Sequence, residues 1–179
     1  MQISNCKNQI TKALSIILLF TGSIFAQIGD NWNGIWKGEL MIFSGPSADK
    51  VSSVHMELHI SNTDSENIRN WRIIYRDSTK DDRKYKLKTV DASKGKYLID
   101  ETDGVFLEAN LYDNNLISRF EVMNNLLDIS YKLESDKIVF EVSTSTAKST
   151  SSTLSQLEQI EVKSYTVTSY QRAYLYPEK

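Results

Sequence analysis

From Gly34 to Tyr176 the apolar side chains recur at every second position, not at every third or fourth. Val54, Met56, Leu58 and Ile60 alternate with Ser53, His55, Glu57 and His59, and Leu127, Ile129, Tyr131 and Leu133 oppose Asp128, Ser130 and Lys132. Successive side chains of a strand point to opposite faces, so this period predicts half-buried β-strands. Turn residues divide the run into about ten strands: Gly34–Phe43, Val51–Ser61, Ile68–Asp77, Arg83–Asp91, Lys96–Glu101, Val105–Tyr112, Leu116–Met123, Leu126–Glu134, Ile138–Ser145 and Glu158–Tyr176. The last is long enough to hold a bulge or bend.

Several of the intervening turns, such as Thr102–Gly104, Asp113–Asn115 and Asn124–Asn125, are short and rich in Asn, Asp or Gly. Such turns join antiparallel neighbours as hairpins. Parallel pairs would need crossovers of about a dozen residues or more. The chain therefore reads as an all-β antiparallel meander. Closing it into an up-and-down barrel of about ten strands removes the two exposed edges that an open sheet would leave. The Ser/Thr tract Thr144–Ser155 has no apolar period. It is expected to be a mobile loop and the first site of proteolytic cleavage.

The first 26 residues have a different pattern. Lys7 and Lys12 precede the apolar run Ala13–Phe20, and the small-residue segment Thr21–Ala26 follows. That order is expected of a secretory signal peptide cut after Ala26, leaving 27–179 as a single barrel domain, secreted or periplasmic. The uncharged run of roughly 16 residues is shorter than the roughly 20 that a spanning helix needs, so no stable membrane insertion is expected after cleavage. Cys6 is the only cysteine and would leave with the leader, so disulfides, thiolate metal sites and a cysteine nucleophile are not expected in the mature chain. The full chain has 21 basic and 23 acidic residues, and losing Lys7 and Lys12 leaves 19 against 23, a net charge of −4. The basic run Arg83–Lys88 alternates with Tyr85 and Leu87, which reads as a solvated strand face rather than a nucleic-acid footprint.

Candidate catalytic chemistry is sparse. The sequence holds no Gly-x-Ser-x-Gly, phosphate loop or zinc spacing. His55 and His59 lie on the polar face of one strand, about 13 Å apart at about 3.3 Å per residue, too far to share an ion. The acidic clusters at Asp77–Asp82 and Asp100–Asp103 fall in turns, where carboxylates are solvated. Neither an enzyme, a cofactor nor a metal is expected. Aromatic residues offer more. Trp71, Tyr75, Tyr85, Tyr97, Phe120, Tyr131 and Phe140 fall on expected inner faces. They either fill the interior or line a cavity suited to an apolar ligand with one polar end.

The stretch Asn31–Leu40 (NWNGIWKGEL) carries Gly34-x-Trp36 at the mouth of the first strand. This resembles the barrel entry of the calycin superfamily, which includes lipocalins and intracellular lipid-binding proteins. The resemblance implies a lipocalin-like barrel in which Gly34 lets the chain turn in and Trp36 closes one end. It also implies a basic residue over the indole, with Arg172 and Lys163 as candidates. Gly38 would leave room for that crossing side chain, and Trp32, in the approach to the strand, should matter much less. Arg172-Ala173-Tyr174 resembles the Arg-x-Tyr of intracellular lipid-binding proteins, whose two side chains point inward onto a fatty-acid carboxylate.

The expected function is binding of a small apolar ligand, such as a lipid or fatty acid, inside the barrel. Arg172, Tyr174, Trp71, Tyr75, Tyr85, Phe120, Tyr131 and Phe140 are the candidate contacts. The alternative is an inhibitor-like structural or interaction barrel that binds a macromolecule through its outer surface or loops, where Ile35, Met41, Phe43, Phe106, Ile117 and Val139 supply apolar side chains. Oligomeric state is left open.

Overall fold

The computed structural model describes residues 27–45, 51–76 and 81–179. The expected leader, Cys6 and parts of the first and third turns lie outside the described residues. Ten strands form the barrel: β1 (Gly34–Phe43), β2 (Val51–Asn62), β3 (Ile68–Tyr75), β4 (Asp82–Asp91), β5 (Lys96–Asp100), β6 (Phe106–Tyr112), β7 (Asn115–Val122), β8 (Asn125–Leu133), β9 (Ile138–Thr146) and β12 (Val167–Pro177). Between β9 and β12, β10 (Ser151–Leu154) and β11 (Glu161–Ser164) pair as a separate hairpin. The barrel closes in the order β1-β12-β9-β8-β7-β6-β5-β4-β3-β2, and every paired neighbour is antiparallel.

The period-two pattern predicts the first nine strands to within a residue or two. It also predicts their inner faces: Met56, Leu58 and Ile60 of β2, Leu116 of β7 and Ile138, Phe140 and Val142 of β9 are all buried. The last segment differs. Thr144–Thr146 completes β9, with Ser145 buried, so these residues are not part of a loop. The long final run is two strands, β11 and β12, divided at Tyr165–Thr166; the chain reaches β11 through a turn at Ser155–Ile160 that pairs it with β10. A polar Ser/Thr tract lacks an apolar face, but Thr and Val suit extended backbone, so it pairs with Glu161–Ser164 without burying anything.

One end of the barrel is closed by the segment that enters β1. A single 3-10 turn, Asp30–Trp32, folds it back beneath the strands. Ile28 and Trp32 are buried, and the Trp32 ring lies 6.0 Å from Trp71. Gly34 then turns into β1 at φ 145°, where a side chain would be strained. Trp36 points inward, and its Nε1 donates to the Trp32 carbonyl at 2.9 Å. Trp32 is thus as much a part of the plug as Trp36, with 1% of its surface exposed against 6%, and the expectation that it matters little is overturned.

The basic residue at this end also differs from both candidates. Arg69 of β3 donates to the Ile28 carbonyl at 2.9 Å and to Asn33 Oδ1 at 2.8 Å, while the Ile28 N–H donates to the Tyr97 hydroxyl at 3.0 Å. These bonds satisfy backbone groups that would otherwise be buried without partners. Among the described residues, cation–π contacts fall on Tyr75, Phe106 and Tyr174, not on an indole. Lys163 sits on the detached hairpin and Arg172 on the outside of β12.

Candidate functional site

The plug fills only one end. Turns β2–β3, β4–β5, β6–β7 and β8–β9 surround it, and the opposite end carries β3–β4, β5–β6, β7–β8 and the hairpin base. A barrel of about this size is either filled by its side chains or holds one small ligand, and here the inward side chains leave a void. Above the plug, Trp71 meets Tyr131 edge to face at 5.1 Å, and Tyr131 meets Phe140 at 5.0 Å. Tyr131 and Phe140 form the floor of a cavity of about 840 Å³ that opens at the far end. Its walls are the inner faces of the strands: Leu40 and Ile42, Val54, Ile73, Ile99, Leu107, Phe120, Leu127, Ile129 and Val142.

Polar groups enter this apolar wall at few places. Tyr75, Tyr85 and Tyr131 bring phenols, Gln171 an amide, and Arg76, Asp81, Arg83, Glu101 and Glu121 ring the mouth. Arg83 joins several of them. Its Nε donates to Asp81 Oδ1 at 3.1 Å, and its guanidinium carbon stands 5.2 Å from the centre of the Tyr75 ring. Tyr85 and Glu101 line the same part of the mouth. Burial opposes the Arg83 charge, but its polar neighbours Tyr85 and Asp81 outweigh it and hold the guanidinium above its ordinary pKa. Burial pushes the Tyr75 phenol up to about 12 and raises those of Tyr85 and Tyr131 too. All three phenols are therefore neutral donors at physiological pH. The site offers a wide apolar body and, near its mouth, a guanidinium and two phenols that can bind an oxygen-bearing end.

Five of the expected contacts, Tyr75, Tyr85, Phe120, Tyr131 and Phe140, line this cavity. Trp71 does not: it is fully buried below the floor, between Trp32 and Tyr131. Arg172 and Tyr174 do not point inward. Ala173 and Leu175 are the buried residues of β12, so the residues between and beside them face out, and Arg172 stacks over Tyr174 at 5.2 Å. The inward polar residue of this strand is Gln171. Sequence reasoning misses Arg83 and Gln171. Arg83 shares parity with Tyr85 and Leu87, and Gln171 with Ala173 and Leu175, and that parity is the signal that marks them.

On the outer wall, His55 Nε2 and His59 Nε2 lie 3.2 and 2.7 Å from the two oxygens of Glu57, with Lys37 Nζ also 3.3 Å away. Burial opposes the Glu57 charge, yet bonds from His59, His55 and Lys37 lower its pKa to about 2. The six outer apolar residues divide. Ile35, Met41 and Phe43 of β1 and Val139 of β9 flank the outward Tyr170, Tyr174 and Tyr176 of β12, where Phe43 pairs with Tyr170 and Val139 with Tyr174. Phe106 of β6 lines the cavity mouth instead, and Ile117 lies apart on β7. Compared with known proteins, the chain matches no family model and no curated sequence.

Proposed function

We propose that this protein is a non-enzymatic, calycin-like carrier, secreted or periplasmic, that holds a small apolar ligand with one polar end inside its barrel. The observation that carries this reading is the cavity of about 840 Å³, plugged at one end, open at the other and walled mainly by aliphatic and aromatic side chains. That volume falls in the range of about 300–1,000 Å³ typical of small-molecule sites. The ligand enters body first, and its polar end rests against Arg83, Tyr75 and Tyr85. The basic, apolar and small-residue order of the first 26 residues supports export.

Titration with a fluorescent fatty acid and with the matching fatty alcohol tests the reading. Ile129 lines the cavity and is only partly buried, so Ile129→Trp should project an indole into the void with little loss of stability. Binding should weaken at least tenfold in that variant, and calorimetry on the wild type should give a negative heat-capacity change. Binding that is unaffected by Ile129→Trp would place the ligand elsewhere and sink the reading.

A second reading, recognition of a macromolecule through the outer wall, is supported by the patch across β1, β12 and β9. Tyr, Met and Arg are the residue types enriched at interface centres. Tyr174→Ser with Met41→Ser should abolish it and leave ligand binding intact.

A further inference from the structure

At the rim of the open end, exposed apolar side chains stand between the charged ones that ring the mouth. Val105 and Val122 line the cavity and are also exposed to solvent. Met123, at the tip of the β7–β8 turn, is 89% exposed. The carbonyl of its neighbour Asn124 accepts a hydrogen bond from the Ala147 N–H at 3.0 Å, which fixes the base of the β10–β11 hairpin at the same rim. That hairpin carries Leu154, Ile160 and, at 96% exposure, Leu157 around its turn.

The backbone of the β7–β8 turn adds an independent sign. Val122 pairs with Asn125, leaving Met123 and Asn124 as a two-residue loop with φ of 49° and 61°. Both central residues of such a turn must be left-handed, which Gly and Asn tolerate and a long side chain does not favour. Asn124 fits that need, but Met123 is strained there and also places a flexible thioether chain in water. Neither feature serves the barrel's own stability, and a strained, exposed residue beside a cavity is a mark of function.

We propose that this rim docks on a neutral lipid bilayer, with Met123 and the tip of the β10–β11 hairpin dipping into the interface and the cavity mouth turned toward the lipid. The inference rests on the apolar-ligand reading of the cavity: such a ligand resides in lipid, and a rim continuous with the cavity wall shortens its path through water. The charge pattern selects the surface. Among the described residues, Arg76 and Arg83 at the mouth are set against Asp81, Glu101 and Glu121, and on the hairpin Lys148 and Lys163 are set against Glu158 and Glu161, with Lys163 paired to Glu161 at 3.5 Å. No basic cluster of the kind that anionic membranes attract is present among these rim residues. Apolar insertion into a zwitterionic surface is what remains.

Phosphatidylcholine vesicles test this, with protein purified from the expressing cell and its N-terminus read by mass spectrometry, so that all variants compared share the same start. Wild type should sediment with vesicles. Met123→Asp and Leu157→Asp together should weaken that binding by roughly tenfold or more, since partitioning scales with the apolar area inserted. Both sites are exposed, so thermal melts should be unchanged and titration with a fluorescent fatty acid in vesicle-free buffer should be normal. Brominated phosphatidylcholine should quench the indole of Leu157→Trp but not the native Trp32, Trp36 and Trp71, which sit at the plugged end. Failure of wild type to bind, equal binding by the double variant, or quenching of the native tryptophans alone would overturn the proposal. So would self-association through the rim that Met123→Asp abolishes. Vesicle binding without fatty-acid binding would uphold the docking surface and discard the carrier reading.

Discussion

Replacing Trp32 by alanine is the sharpest perturbation of the plug, because the residue precedes every strand and yet is buried in the core. Its ring is 1% exposed and packs 6.0 Å from Trp71, which in turn supports Tyr131 at the cavity floor. Truncating a buried aromatic costs about 3–5 kcal/mol from lost transfer energy and the void left behind. Domains have only about 5–15 kcal/mol in all. For a domain of this size each kcal/mol moves the melting temperature by about 2–4 °C, so Trp32→Ala should lower it by roughly 6–20 °C.

Trp36→Ala should cost a similar amount. It loses an indole that is 6% exposed and also a hydrogen bond to the Trp32 carbonyl, worth about 0.5–1.5 kcal/mol. The two side chains share one closure, so the double variant should fall short of the sum by about 0.5–3 kcal/mol. Urea melts followed by circular dichroism give all three values. No plug residue lines the cavity, so whatever fraction of Trp32→Ala remains folded should still bind ligand. A melting temperature within about 2 °C of wild type for Trp32→Ala would mean that the segment before β1 does not close the barrel, and the argument for the plug would fail.

The remaining expectations are independent of the plug. Glu57 has its pKa lowered from 4.5 to about 2, so its contribution to stability is complete above about pH 4.5 and is lost as pH falls toward 2. Glu57→Gln should therefore melt below wild type at neutral pH, with the gap closing in that acid window; a gap that persists at pH 2 would refute the assignment. Limited proteolysis should cut first within Ser155–Ile160, and replacing the hairpin by a short turn should leave the barrel's melting temperature nearly unchanged, because β10 and β11 are exposed along their whole length. Loss of folding on that replacement would show that the hairpin is part of the barrel's stability.

The strand interiors were legible in the sequence because each needs only a period of two against one buried face. β2 shows why: Val54, Met56, Leu58 and Ile60 leave no other choice of face, and a one-residue slip would bury His55, Glu57 and His59. β12 shows where that logic becomes ambiguous. One face is Gln171-Ala173-Leu175; the other, Tyr170-Arg172-Tyr174-Tyr176, carries the bulkier aromatic side chains although it faces water. Trp36 is expected to close one end, but its partners in the plug are hidden: Ile28 and Trp32 are buried by a chain reversal, which has no period to detect.

Gly38 resolves the frame of β12, and it can be tested. The β1–β12 ladder runs through Lys37↔Tyr176 and Leu40↔Ala173, and between them the strands approach closely. A Cβ on Gly38 would stand 2.2 Å from the Tyr174 carbonyl oxygen and 3.3 Å from a Leu175 methyl carbon. The space beside the indole is therefore occupied by the backbone of β12, not by a crossing arginine. That close approach needs Tyr174 to present its carbonyl to β1 while its side chain turns outward and Leu175 turns in. Gly38→Ala must push β12 away, at a cost of about 1–3 kcal/mol for overpacking against rigid backbone. If an arginine filled that gap instead, the long side chain would yield and the substitution would be nearly neutral. A melt of Gly38→Ala indistinguishable from wild type would thus restore the inward Arg172, whereas a clear loss, with Arg172→Ala close to wild type in ligand affinity, fixes Gln171 as the residue that β12 turns into the cavity.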